Sequence, residues 1–207
     1  MEEFFQGSLL DMGQPTGLGS LAPERTVLTQ GAWVDVQPGW VTGSDDLFLR
    51  LQAEVPWRAE NREMYDRMVD VPRLLCHYGV DAALPDPLLL EAREALGDHY
   101  ESELGERFVT AGLCYYRDGR DSVAWHGDRI GRGRTDNTMV AIVSLGAARR
   151  LSLRPRGGGP QIGFSLGHGD LVVMGGSCQR TWEHAILKTA RPVGPRISVQ
   201  FRPRNVL

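Results

Sequence analysis

The chain has 207 residues, enough for one domain with a sizeable core, and its 42% hydrophobic and 24% charged residues are those of an ordinary globular protein. No apolar run approaches membrane-spanning length and the acidic start Met1-Glu2-Glu3 is unlike a secretion signal, so a cytoplasmic protein with no membrane partner is expected. The net charge of −3 argues against a protein that binds nucleic acid through bulk charge alone, and Cys76, Cys114 and Cys178, without metal-type spacing, read as reduced, buried thiols.

Residues 1 to about 24 are rich in Gly and Pro with little periodicity and read as a flexible or loosely docked arm. Trp33-Val34-Asp35-Val36 alternates as a short strand does, and Pro38-Gly39 ends it. Ser44 is placed to cap a helix whose first turn carries Asp45 and Asp46; Leu47, Phe48, Leu51 and Val55 form its apolar stripe, and Pro56 stops it. Asp86-Pro87 opens a second helix, with Leu88, Leu89, Ala92, Ala95 and Leu96 as its buried stripe. After Gly105 the pattern changes. Segments 108–116, 138–145, 151–153, 162–166, 170–174 and 196–201 are short, β-prone and separated by Gly- or Pro-rich turns, which predicts an antiparallel sandwich. Val140-Ala141-Ile142-Val143 is apolar throughout, as for a strand buried on both faces. The predicted fold is α+β: a double-stranded β-helix (jelly-roll) core with N-terminal helices packed outside.

One stretch organises this core. In Ala124-Trp125-His126-Gly127-Asp128, a histidine and an aspartate two apart on extended backbone point to one face. With the distant His184 they make two imidazoles and one carboxylate, the set that holds non-haem Fe(II) on one side and leaves other positions open. His168-Gly169-Asp170 repeats the pattern, but turn-type glycines flank it and no third ligand matches it. Arg196, Ser198, Gln200 and Arg202 share one face of the last strand, so both guanidinium groups can reach the same mouth; a plain strand with charged ends is the competing reading. From Arg117 to Arg156, nine arginines stand against four acidic residues. They suit phosphate groups and equally suit a solvated basic face.

The stretch from Tyr115 to Asp128 resembles the strand carrying the His-x-Asp of AlkB-like Fe(II)/2-oxoglutarate dioxygenases. Gly169 to Gly176 with Gln179 to His184 is similar to that family's approach to its distal histidine, and Arg196 to Arg202 to its terminal arginine strand. Asp66-Arg67, Val71-Pro72-Arg73 and Tyr78-Gly79 resemble the segment before its nucleotide-recognition lid, so the resemblance spans about 64–203. It implies Fe(II), 2-oxoglutarate and O₂ as cofactors, with His126, Asp128 and His184 as iron ligands and no catalytic residue beyond that site. It implies that Arg196 pairs with the far carboxylate of 2-oxoglutarate, that Tyr116 and Ser198 help to bind it, and that Arg202 lies near its metal end and Asp128. The implied organisation is an arm at 1–24 and one dioxygenase domain at 25–207, with an N-terminal extension and nucleotide-recognition region at 25–105 and the jelly-roll at 106–203.

The implied reaction hydroxylates an alkyl group on a base nitrogen, and the product releases an aldehyde and the repaired base. The implied partner is alkylated DNA or RNA, handled by a monomer. Arg73, Tyr78, Trp125 and Arg129 are the candidates for substrate contact. The chain departs from the family pattern in several places. Cys114 replaces a usual asparagine, Ser198 and Gln200 replace asparagine and threonine, and Arg129-Ile130-Gly131 stands where DNA-repair members carry acidic residues. Val80 to Pro85 lacks the aromatic hairpin of a base-gripping lid. Those last departures leave a protein or small-molecule oxygenase as the rival reading.

Overall fold

The computed structural model describes residues 15–64 and 67–206. In chain order come β1 (Gly17–Leu18), β2 (Glu24–Val27), β3 (Ala32–Gln37), β4 (Val41–Thr42) and helix α1 (Ser44–Glu54). The pair β5 (Arg58–Met64) and β6 (Arg67–Tyr78) leads to helix α2 (Pro87–Leu104). Then follow β7 (Thr110–Tyr116), β8 (Val123–His126), β9 (Val140–Gly146), β10 (Arg149–Pro155), β11 (Ile162–Leu166) and β12 (Asp170–Gly176). A short helix α3 (Cys178–Thr181) precedes β13 (Trp182–Ile186) and β14 (Arg196–Arg202).

Eight strands form one antiparallel sheet in the order β2-β3-β12-β9-β14-β7-β6-β5, and four form a second in the order β11-β10-β13-β8. Two apolar clusters occupy the two faces of the larger sheet. Ala141, Val143 and Leu145 of β9 pack with Leu47, Phe48 and Leu51 of α1 and Leu89, Ala92 and Leu96 of α2. Val140 and Ile142 of the same strand pack with Leu151 and Leu153 of β10, Leu166 of β11 and Ile186 of β13, between the sheets. The unbroken apolar run in β9 therefore has the double burial that its sequence predicts. Helices α1 and α2 cover one face of the large sheet, and the small sheet closes the other, as in a jelly-roll. None of the helices among the described residues is long and apolar enough to cross a membrane.

Local chemistry explains the helix ends. Asp86 caps α2, its Oδ1 accepting from the Leu88 N–H at 2.9 Å, with Pro87 at the first helical position; such a cap contributes about 1 kcal/mol. Its Oδ2 accepts from Arg50 of α1 at 2.8 Å, which ties the helices together. The first helix differs from expectation. Gly43, at φ +56, is its cap residue and Ser44 is already helical, because the chain turns sharply out of β4 through left-handed backbone that favours glycine.

Of the segment read as an arm, residues 1–14 lie outside the described residues. In the remainder, β1 pairs with β4, the Gly19 N–H donates to the Trp40 carbonyl at 2.7 Å, and Leu18 and Leu21 pack on the helix-side cluster. The residues after Gly79 form no hairpin; the long β5–β6 pair comes before that glycine and borders β7.

Candidate metal and co-substrate site

The register of the small sheet sets His184 of β13 directly opposite His126 at the end of β8, with ring centroids 4.2 Å apart. Between His126 and Val123 the pairing with β13 is irregular, and such a bulge re-aims the side chains at a strand end. Asp128 then turns in beside them. Gly127 permits this turn, since a Cβ there would lie 2.4 Å from the Gln179 carbonyl oxygen. The Asp128 N–H donates to Gln179 Oε1 at 2.9 Å, so α3 holds the turn from behind.

Ligand atoms of His126, Asp128 and His184 all lie within 4.8 Å of one another. His126 Nδ1 is 2.8 Å from the Ala124 carbonyl, which can only accept; Nδ1 therefore carries the proton and Nε2 keeps its lone pair for the centre of the cluster. Burial lowers the pKa of both imidazoles. His184 falls to about 3, with His126 adding to the effect, and His126 is lowered although Asp128 opposes the shift. Burial alone would raise Asp128, but Arg202 and the two imidazoles hold it at about 2. At neutral pH the site thus presents two neutral imidazoles and one carboxylate, the protonation states that metal binding requires. Arg202 Nε donates to Asp128 Oδ2 at 2.6 Å and leaves Oδ1 on the histidine side, 3.7 Å from His126 Nε2.

These residues line one end of a cavity of about 450 Å³. At the other end Arg196 of β14 is 1% exposed and pairs in register with Tyr116 of β7. Its Nε donates to Ser144 Oγ at 3.0 Å, and its buried Nη1 has no partner. Burial lowers the pKa of this guanidinium and raises that of the Tyr116 hydroxyl to about 12, so the phenol remains a neutral donor. A buried cation with an unused donor, facing a cavity beside a phenol, calls for an anion. Leu151, Leu166 and Ile186 supply the apolar wall between the two ends.

Residues 82–202 match the sequence pattern described as the 2OG-Fe(II) oxygenase superfamily. The chain belongs to that superfamily. It is an AlkB-like 2OG oxygenase: 80% of it aligns at 29% identity with "Alpha-ketoglutarate-dependent dioxygenase alkB homolog 3" of Bos taurus, and 77% at 27% with "DNA oxidative demethylase ALKBH2" of Homo sapiens. An uncharacterized protein, R406, of Acanthamoeba polyphaga mimivirus is 38% identical over 49% of the chain. The alignments span 64%, 68% and 53% of those relatives' own lengths. Among solved structures, OsALKBH1 superposes with a TM-score of 0.60 at 13% identity, covering 86% of this chain and all of that one. A Pseudomonas putida prolyl-4-hydroxylase superposes at 0.58 and 17%, covering 83% and 92%; at such identity the likeness concerns the jelly-roll fold.

Members of this superfamily use Fe(II), 2-oxoglutarate and O₂, and the residues of this 2OG oxygenase fit them. The three-donor cluster leaves one side of a divalent ion open, and the unpaired Arg196 Nη1 matches a dicarboxylate's far end. Arg196, Ser198, Gln200 and Arg202 all line the cavity, on the shared face that strand alternation predicts.

The substrate candidates divide. Arg73 of β6 lines the cavity and donates to the Ser122 carbonyl at 3.0 Å. Tyr78 lies outside the lining and packs on the helix-side cluster; on alternating β6 it is His77 that faces the mouth. Trp125, between His126 and the outward Ala124, is likewise outside it, with the Arg154 guanidinium 4.3 Å from its ring. Arg129 is exposed and lies near Arg156, while its neighbour Ile130, 65% exposed, lines the mouth. Ile130 carried no recognisable signal in the sequence. Neither did Gln179, whose grip on Asp128 depends on a contact between distant segments.

The arginine-rich stretch also divides. Arg117 pairs with Asp121, Arg120 with Asp118, and buried Arg149 donates to the carbonyls of Asp118, Asp121 and Leu187. These three build a loop. Arg154 and Arg156 share Glu183, Arg156 lies against Gly127, and exposed Arg129 lies near Arg156, so these cations border the turn between His126 and Asp128.

Proposed function

We propose that this protein oxidatively dealkylates N-alkylated bases in nucleic acid, as a DNA-repair enzyme, releasing an aldehyde, succinate and CO₂. His126, Asp128 and His184 would hold the Fe(II). The bound iron with 2-oxoglutarate and O₂ supplies the oxidising power that turns an N-alkyl C–H into C–OH. Every other requirement falls to the chain. Arg196, the Tyr116 hydroxyl and Ser198 receive and orient the co-substrate; Arg202 fixes the Asp128 carboxylate; the apolar wall keeps water from the reacting centre.

The observation that carries this reading is where the cations stand. On a chain of net charge −3, Arg156 lies against Gly127 of the turn between His126 and Asp128, exposed Arg129 lies near it, and Arg154 shares Glu183 with it, which orients the two without consuming all their donors. An anionic substrate that must present one group to the metal is the natural complement of these cations. The names of the relatives, one a DNA oxidative demethylase, support the same class of substrate. Exposed Ile130 and the mouth residue His77 are apolar and planar surfaces suited to the faces of a base taken out of its stack.

The test is formaldehyde and succinate release with Fe(II), 2-oxoglutarate and single-stranded oligonucleotides containing 1-methyladenine or 3-methylcytosine. Stoichiometric formaldehyde and succinate are expected. Co-substrate turnover that no methylated oligonucleotide stimulates, but a peptide or small metabolite does, would replace this reading with the rival oxygenase.

A further inference from the structure

Three departures from the family pattern meet at one place in the cavity. On β14 and β7, Ser198 pairs in register with Cys114, and Gln200 with Gly112. Gln200 Nε2 donates to Ser198 Oγ at 2.9 Å and to Cys114 Sγ at 3.3 Å. Its Oε1 accepts from Arg202 Nη2 at 2.6 Å. The orientation of this amide is fixed by chemistry, because Arg202 has only donors and the oxygen must face it. Arg202 in turn spends its Nε on Asp128 Oδ2 at 2.6 Å. Gly112 completes the arrangement: a Cβ there would stand 3.0 Å from Arg202 Nη1 and 3.7 Å from Gln200 Oε1, so the guanidinium lies across a residue that leaves it room.

We propose that Gln200 is a positioning residue that locks Arg202 onto the outer oxygen of Asp128 and so aims the inner oxygen at the metal. This inference rests on the metal site assigned above. Gln200 makes no hydrogen bond to His126, Asp128 or His184; it acts through Arg202 and Ser198. Toward Asp128 it holds the guanidinium by a second nitrogen, so that the carboxylate meets a cation with one orientation instead of a swinging one. Toward the co-substrate it fills one acceptor position of the Ser198 hydroxyl, which leaves the Ser198 O–H as a donor. Threonine, the usual residue at this position in the family pattern, has no group long enough to do both. The replacements at 114, 198 and 200 are then one unit: a glutamine that spans the strand, and two small partners that accept from it.

The near-isosteric Gln200→Met keeps the volume and removes all three hydrogen bonds of the amide. Loss of a direct partner of a metal ligand costs about 10- to 100-fold in metal affinity. Gln200 stands one step further out, so Gln200→Met should weaken Mn(II) binding about three- to tenfold, read by electron paramagnetic resonance on the full chain without co-substrate. The visible spectrum of the Co(II) form should shift, and the KM for 2-oxoglutarate should rise more than kcat falls. Gln200→Glu retains an acceptor for Arg202 and loses the donor to Ser198. It should hold Mn(II) at least as well as wild type and still raise the KM. Wild-type Mn(II) affinity and an unshifted Co(II) spectrum in Gln200→Met overturn the inference while the metal site stands. Should Gln200→Met not fold, weakened Mn(II) binding by Gln200→Glu overturns it equally. If wild type binds no Mn(II), or His184→Ala binds it as well as wild type does, the metal site falls and this inference with it.

Discussion

The tripeptide His-Gly-Asp occurs twice, at 126–128 and at 168–170, and the two copies do different work. In the first, His126 uses Nδ1 on a carbonyl of its own strand and Asp128 gives Oδ2 to Arg202, so each keeps one atom for a shared point where His184 joins them. In the second, every such atom is used locally. His168 Nδ1 accepts from the Gly146 N–H at 2.7 Å and Nε2 meets Asp45 at 2.9 Å. Asp170 accepts from the Gly167 N–H at 2.6 Å and the Gly39 N–H at 2.9 Å. The glycines differ as well: Gly169 has φ +80 and reverses the chain, whereas Gly127 has no positive φ and is there for closeness to Gln179. The first pair differs from the second in the atoms its residues leave unspent and in a third donor across the sheet, which together could hold a metal ion.

The largest expected effect separates the two copies outright. His184→Ala or His126→Ala should lower metal-dependent 2-oxoglutarate turnover by on the order of a thousandfold or more, about 4 kcal/mol in the barrier. Mn(II) at a hundred times its Kd should stabilise wild type by about 2.7 kcal/mol and leave either variant unmoved in a thermal melt. His168→Ala should do the reverse: full turnover per folded molecule and an intact response to Mn(II). It leaves the Gly146 N–H without its acceptor, at a cost of about 1–3 kcal/mol, or about 2–4 °C of Tm per kcal/mol in a chain of this size. Loss of metal response in His168→Ala would erase the distinction.

At the far end of the cavity the expected effect is intermediate. Arg196→Leu removes a charge-assisted contact to the co-substrate, about 1.5–3 kcal/mol, or roughly 10- to 150-fold in the 2-oxoglutarate KM. An unchanged KM would mean that the unpaired Nη1 faces something other than the co-substrate carboxylate.

What could be read beforehand follows the same division between local and distant causes. The α2 cap is local chemistry, three residues long, and the apolar run of β9 states its own double burial; both are legible. Ser44 looks like a cap because serine usually is one, and only the geometry of the turn out of β4 moves that place to Gly43. Strand β5, Arg-Ala-Glu-Asn-Arg-Glu-Met, has no apolar alternation to find; it forms because the edge of β6 offers it hydrogen-bonding partners. The ligands are recognisable as residue types, but their meeting depends on the pairing of β8 with β13, which spacing does not encode. Tyr78 and Trp125 each lie beside a cavity-lining residue, His77 and His126, yet stay outside the lining: Tyr78 packs on the helix-side cluster, and Trp125 sits where the pairing of β8 is irregular, with Arg154 over its ring.

The smallest expected effect probes the aspartate of the second tripeptide. Asp170 holds two backbone donors at once, Gly167 in its own turn and Gly39 in the loop between β3 and β4. Asp170→Ala removes both acceptors. The Gly39 N–H is exposed, so water replaces that bond at little cost; the Gly167 contact is partly buried and its loss dominates. A total near 1 kcal/mol follows, about 2–4 °C of Tm, with metal affinity and turnover unchanged. Were this carboxylate instead part of a second ion site, Asp170→Ala would leave the metal-free Tm in place and remove a metal-dependent rise in it. A melt with and without Mn(II) in the His184→Ala background, where the first site is already disabled, reads that difference directly.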